Sequence, residues 1–185
     1  MTNDVLQTGE KRMKAAIEAT KKAFSAIRTG RANTGLLDRI TVDYYGVSTP
    51  LNQLASISVP DPRLIVIQPY DKSTIKDIDR AIQASDIDLM PTNDGTVLRL
   101  AIPQLTEERR KQLVKVVKKE AEDKRVAVRN VRRDLNDEIR KMEKAGDISE
   151  DESRGAQDEV QELTDKYIAV IDELTESKEE EILEI

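Results

Sequence analysis

The sequence of 185 residues contains no cysteine, no histidine and no tryptophan. A disulfide framework, a thiol nucleophile and a thiolate metal site are therefore excluded, and the commonest general base and metal ligand is missing. Aromatics make up only 3%: Phe24, Tyr44, Tyr45, Tyr70 and Tyr167. No apolar run approaches the roughly 18 residues that suggest a membrane span. Met1-Thr2-Asn3-Asp4 lacks the basic start and apolar stretch of a signal peptide, so an intracellular protein with no membrane partner is expected. What the chain has instead is charge. Asp, Glu, Lys and Arg reach 36%, against about 25% in an ordinary globular domain, a balance that suits long, solvent-washed helices.

Near the start, Met13, Ile17, Thr20, Phe24 and Ile27 recur at intervals of three and four and predict a helix over 3–29, with Gly30 as its left-handed cap. From Arg39 the period changes to two. Strands are expected at 39–45, 54–59, 64–67 and 97–102, with Pro60-Asp61-Pro62 interrupting the ladder and a short helix over 73–82 behind a Ser cap. At Thr106 a helical pattern resumes and nothing stops it before Gly146; a second long helix follows Ser149. At 1.5 Å per residue each would be roughly 50 to 60 Å long, wider than a compact domain of this size. The predicted fold class is α+β: an elongated antiparallel three-helix bundle from 1–30 and 105–185, with a small β/α/β domain, 31–104, inserted at one end. The crossings Thr29-Gly30-Arg31 and Pro103-Gln104-Leu105 form a two-strand hinge; a mobile hinge and a rigid elbow would both use such residues.

Charge is unevenly placed. Residues 109–133 hold eleven bases and three acids, a net of +8, while 147–185 hold three bases and fifteen acids, a net of −12. At about 100° per residue, Lys111, Lys118, Arg125, Arg129 and Arg132 gather roughly a quarter turn from the apolar seam through Val128. A solvated helix face balanced by the acidic C-terminal helix would carry the same charges. The run Arg125-Val126-Ala127-Val128-Arg129-Asn130-Val131-Arg132-Arg133 argues against it, because four Arg with no acid among them repel one another unless something anionic binds. Arg suits bidentate phosphate contacts. Tyr44 and Tyr45 are adjacent, so on a strand they point to opposite faces and at least one is expected in the core, which disfavours a base-stacking platform. Folded RNA read through backbone and shape fits better than a single strand. Thr29-Gly30-Arg31 lacks the spacing and Lys of a phosphate loop, and Glu150-Asp151-Glu152 and Glu179-Glu180-Glu181 read as solvated helix turns. No enzyme and no metal site are expected.

Five blocks, in order along nearly the whole chain, carry a family resemblance: Ile27-Arg28-Thr29-Gly30-Arg31-Ala32; Val42-Asp43-Tyr44-Tyr45-Gly46; Thr49-Pro50-Leu51-Asn52-Gln53-Leu54-Ala55; Leu105-Thr106-Glu107-Glu108-Arg109-Arg110-Lys111; and Val126 through Arg133. The chain resembles the ribosome recycling factor family. The resemblance implies an L-shaped, two-domain protein of transfer-RNA dimensions. It would act as a cytoplasmic monomer, or in an organelle if a transit peptide has been removed. Such a factor enters the intersubunit space of a post-termination ribosome, lies along large-subunit ribosomal RNA, and is driven by elongation factor G with GTP to separate the subunits. The factor itself has no cofactor, and DNA is not a partner. By motif match the RNA contact falls to Arg28, Arg31, Arg109, Arg110, Arg129, Asn130, Arg132 and Arg133; the small domain and hinge would meet the translocase, and Val59, Pro60, Leu105 and Thr106 are assigned to that contact without a motif match. The family's Ser-Asp-Leu-Gly-Leu-Asn-Pro stretch reads Ser85-Asp86-Ile87-Asp88-Leu89-Met90-Pro91 here. If that position needs a positive φ, Asp88 adopts it at moderate cost. Two readings from other classes stand beside this one: a coiled-coil scaffold that binds partners through its acidic helix, and a general RNA-binding chaperone.

Overall fold

The computed structural model describes residues 1–184. Along the chain come α1 (Thr2–Ser25), β1 (Thr41–Tyr44), β2 (Val47–Pro50), a single turn α2 (Leu51–Leu54), β3 (Ala55–Asp61), β4 (Leu64–Pro69), α3 (Ile75–Ala84), β5 (Thr92–Asn93), β6 (Leu98–Ala101), α4 (Glu107–Lys144) and α5 (Glu150–Leu183). They form two compact units, one of residues 1–24 and 114–180 and the other of 25–113 and 181–184.

The ends of the long helices follow from local chemistry. Arg109 donates its backbone N–H to Thr106 Oγ1 at 3.1 Å, and Glu107 and Glu108 sit at the positive end of the α4 dipole. Gly146, at φ +77°, closes the other end: it donates to the Glu143 carbonyl and Asp147 donates to that of Met142, both at 3.0 Å, the bond pair of a Schellman cap. Ser149 and Glu152 then open α5 reciprocally, each side chain accepting from the other's backbone N–H at 3.1 and 3.0 Å.

In the helical unit α1 buries Val5, Gly9, Met13, Ile17, Thr20 and Phe24, one stripe at intervals of three and four. A Cβ on Gly9 would collide with the Leu135 side chain, so glycine allows the close approach of α1 and α4. Arg12 pairs with Asp134 at 2.9 Å. Across the other seam Leu6 shares a groove with Leu163, and Tyr167 donates to Glu10 at 2.7 Å. Partner numbers fall along α4 and rise along α5, so α1 runs antiparallel to α4 and parallel to α5. Burial first, then the Glu10 bond, pushes the Tyr167 phenol up to about 12, which keeps it a donor at any physiological pH.

In the other unit a four-stranded antiparallel sheet has the order β3-β4-β6-β5. Ile65 and Ile67 of β4 and Leu98 and Leu100 of β6 alternate into a core shared with Ile75, Ile78 and Ile82 of α3, as the two-residue period of a half-buried strand and the helical spacing dictate. β1 and β2 form a separate hairpin, turned by Tyr45 at φ +51° and Gly46 at φ +80°.

Several expectations are corrected. α1 stops at Ser25, short of residue 29, and Gly30 is not among the glycines with positive φ. From Ser25 on, the chain bonds within the 25–113 unit instead of continuing the helix: Asn33 donates to the Ser25 carbonyl at 3.3 Å and Arg28 to that of Ile87 at 3.1 Å. The compact units divide the chain at 24/25, 113/114 and 180/181. β3 continues through Pro60 to Asp61 because it is an edge strand, where a missing N–H costs little, with the register shifting between Ser58 and Asp61. Asp71, not Ser73, accepts the capping bond ahead of α3, from the Ser73 N–H at 3.0 Å. Neither Tyr44 nor Tyr45 is buried; Tyr45 is 83% exposed at the turn. Asp88 does take a positive φ, +55°.

The loop between β5 and β6 is held by one carboxylate. Asp94 accepts from the backbone N–H groups of Val97 and Thr96 at 2.8 and 2.9 Å and from Arg99 at 2.5 Å, and these bonds, Val97 first, hold it down at about 2 against an ordinary 3.8. A depressed folded-state value means that the loop's stabilisation is complete above the unfolded-state value and fades as pH falls toward the folded one. The amide resonances of Thr96 and Val97 should therefore titrate with a midpoint near pH 2. A midpoint near 3.8 in an NMR pH series would show that these bonds do not form in solution.

Candidate nucleic-acid interface

The rotation of α4 is set by Val128, Val131 and Leu135, all buried. That setting leaves Arg129, Asn130 and Arg133 exposed, with Arg132 half-buried beside them. Arg132 and Arg133 form no ion pair with any described residue. They are free to donate to an external anion, and Asn130 adds a neutral donor and acceptor between them.

Arg125 and Arg129 behave differently, and here the expected outward row of cations needs correction. Glu122 accepts from Arg129 at 3.0 Å and from Arg125 at 3.3 Å. Arg125 also reaches across to α5, donating its Nε–H to Asp172 at 2.8 Å with a terminal nitrogen 2.7 Å from the same oxygen, and its side chain is only 22% exposed. Bonding by Arg129, then by Arg125, holds the Glu122 carboxyl below its ordinary range. The mutual repulsion expected among these Arg is thus relieved inside the molecule for two of the four. Glu122 was detectable in the sequence, since it lies one and two helical turns before its partners on the same face. Asp172 was not, because only the packing of α5 on α4 brings it there.

The remaining residues assigned to RNA lie in the small unit, where most have internal work. Arg28 donates to the carbonyls of Ile87 and Asp88 at 3.1 and 3.4 Å, tying down the loop with the positive φ. Arg31 pairs with Glu184 at 2.6 Å. Arg109 donates to Gln112 at 3.1 Å and stays exposed. Arg110 is half-buried, turned toward the Leu105 carbonyl, with its Nε shielded and without a partner.

The two crossings of chain lie side by side. Ala32 donates its N–H to the Pro62 carbonyl and Ile102 donates to that of Arg63, so both end on the turn between β3 and β4. With its oxygen facing Arg63, the Gln104 amide accepts twice, at 3.1 and 2.7 Å. Buried Thr29 donates to Glu181 at 3.2 Å and accepts from the Arg31 N–H. A cavity of about 170 Å³ remains between Gly30, Arg31, Gln104, Leu105 and Pro62. Pro103 is exposed. Of the residues assigned to the translocase, Val59 and Pro60 are exposed on the edge strand, Leu105 is half-buried and Thr106 caps α4.

The comparisons with known proteins agree. The family model for ribosome recycling factor matches residues 20–183. Ribosome-recycling factors of Geobacillus kaustophilus and Halalkalibacterium halodurans are 59% and 58% identical over the full length of both chains. A solution structure of the ribosome recycling factor superposes with a TM-score of 0.80 at 44% identity, covering 100% of this chain and 98% of that one. Another similar chain, at TM-score 0.72 and 44% identity over 99% of each chain, comes from models of the T. thermophilus ribosome recycling factor and the E. coli elongation factor G bound to the E. coli post-termination complex. A bundle with unpaired arginines on one helix, a small sheet domain within the chain and a match over nearly its whole length lead to one conclusion: the chain belongs to the ribosome recycling factor family.

Proposed function

We propose that this chain is a cytoplasmic, monomeric translation factor that binds the post-termination ribosome and, with elongation factor G and GTP, splits it into subunits. The observation that carries this reading is the unpaired Arg132 and Arg133 beside Asn130 on a long, well-capped helix, in a family with a structural relative placed beside elongation factor G on a post-termination complex. Arg129, Arg132 and Arg133 meet phosphates of large-subunit RNA, with Arg28, Arg31, Arg109 and Arg110 nearer the crossings. Thr29-Gly30-Arg31 and Pro103-Gln104-Leu105 act as the hinge, and Val59, Pro60, Leu105 and Thr106 meet the translocase. The chain makes and breaks no covalent bond and takes no cofactor; elongation factor G consumes the GTP.

Purified post-termination ribosomes mixed with this protein, elongation factor G of a matched species and GTP should lose light scattering as subunits separate. No loss with a folded protein would favour the scaffold reading, to which the exposed acids of α5 lend themselves. Equal affinity for ribosomal subunits and unrelated duplexes would favour the chaperone.

A further inference from the structure

Between the phosphate-binding stretch of α4 and the acidic helix lies a four-residue chain of charges: Asp172, Arg125, Glu122, Arg129. Its consecutive links are 2.7, 3.3 and 3.0 Å, and together the four groups are neutral. We propose that Glu122 and Asp172 set the specificity of the RNA-binding face, by holding Arg125 inside the bundle and offsetting the charge of Arg129, so that only a phosphate presented on the open side of Arg129, beside Arg132 and Arg133, gains it. The inference rests on the reading of α4 as the RNA-binding helix.

Arg125 is already committed on two sides, donating to Asp172 through Nε and to Glu122 through a terminal nitrogen, with its other terminal nitrogen ion-paired to Asp172. It is therefore a strut between helices rather than a free phosphate ligand. Arg129 spends one nitrogen on Glu122 and keeps its other donors, so it can bind a phosphate that approaches from the open side. A randomly placed polyanion meets two uncompensated cations, Arg132 and Arg133, where the sequence alone suggests four. Lowering attraction to wrong partners in this way is how discrimination is obtained when the attractive term, phosphate charge, is common to every nucleic acid. The arrangement also gives the acidic α5 a part in recognition through a single residue, Asp172.

Full-length Glu122→Gln and Asp172→Asn test this, with large ribosomal subunits, an unrelated duplex RNA and heparin as ligands across a salt series. Both carboxylates are more than half exposed, so the fold is expected to persist, and circular dichroism melting verifies it. Each variant should bind the duplex and heparin more tightly than wild type. The salt dependence should steepen, by about 3.5-fold more affinity lost between about 50 and 200 mM salt for each cation set free. Preference for subunits over the duplex should fall. Unchanged duplex and heparin affinity and slope, with or without a lower melting temperature, would reduce the four residues to a structural bridge and overturn the proposal. Subunits left unbound by wild type, while the variants still gain affinity for heparin, would overturn the ribosomal reading instead.

Discussion

Arg132→Glu is expected to weaken binding to the large ribosomal subunit about ten- to hundredfold, the loss that follows from removing a hydrogen bond to a charged group worth about 1.5 to 3 kcal/mol. Arg132 is chosen because it is half-buried and has no acidic partner among the described residues. Its charge is therefore uncompensated and its donors are open to a phosphate. Reversal also places a carboxylate beside RNA, so the effect should be largest at low salt and shrink as salt rises. Co-sedimentation with large subunits over a salt series measures it, and splitting should fail in parallel. Wild-type affinity at every salt concentration would place the RNA contact elsewhere on the molecule.

Ile78→Ala should cost the small unit about 2 to 5 kcal/mol, the usual range for deleting this much side chain from a closed core. Ile78 is 0% exposed on α3, in one core with Ile65, Ile67, Leu98 and Leu100. Val128 and Ile171, equally buried, belong to the other unit. Hydrogen exchange should thus quicken in β4 and β6 and stay slow at the centres of α4 and α5. Functionally, a loosened small unit leaves Arg129, Arg132 and Arg133 in place, so subunit binding should persist while splitting fails. Uniform loss of protection across both units would show instead that the two fold as one cooperative body.

The long helices were legible because boundary residues and the apolar repeat agreed. Thr106, Gly146 and Ser149 punctuate a repeat of buried residues from Leu113 to Ile182; Thr106, read as a cap, caps α4, and Gly146 and Ser149 cap the ends that the pattern placed there. The small unit was harder to read. β2 and β5 are four and two residues long and mostly exposed, too short and polar for an alternating pattern to register. Pro60 looked like a terminus because the sequence does not show that β3 lies at a sheet edge. Gly30 looked like a cap because it follows a helical stripe; Ile27 continues the spacing after the backbone has left the helix. At the candidate interface, the arginine cluster was plain from composition, but its division into occupied and free members depends on Asp172, forty-seven residues beyond Arg125.

The register of α1 has a consequence for synthesis. Its partners Asp134 and Tyr167 lie 122 and 157 residues further along the chain, with the small unit encoded between. At about 5 to 20 residues per second, α1 emerges some 8 to 30 s before the last of the segments that cover its stripe. Until α4 follows, the stripe of Met13, Ile17 and Phe24 has no neighbouring helix, and it is fully covered only once α5 is made, whereas α4 and α5, joined by a five-residue turn, can pair as soon as both are made. The order of assembly that follows is a hairpin first and α1 last, closing a loop of more than a hundred residues. A nascent chain of this protein is thus most in need of protection at its beginning, for most of the time it takes to make.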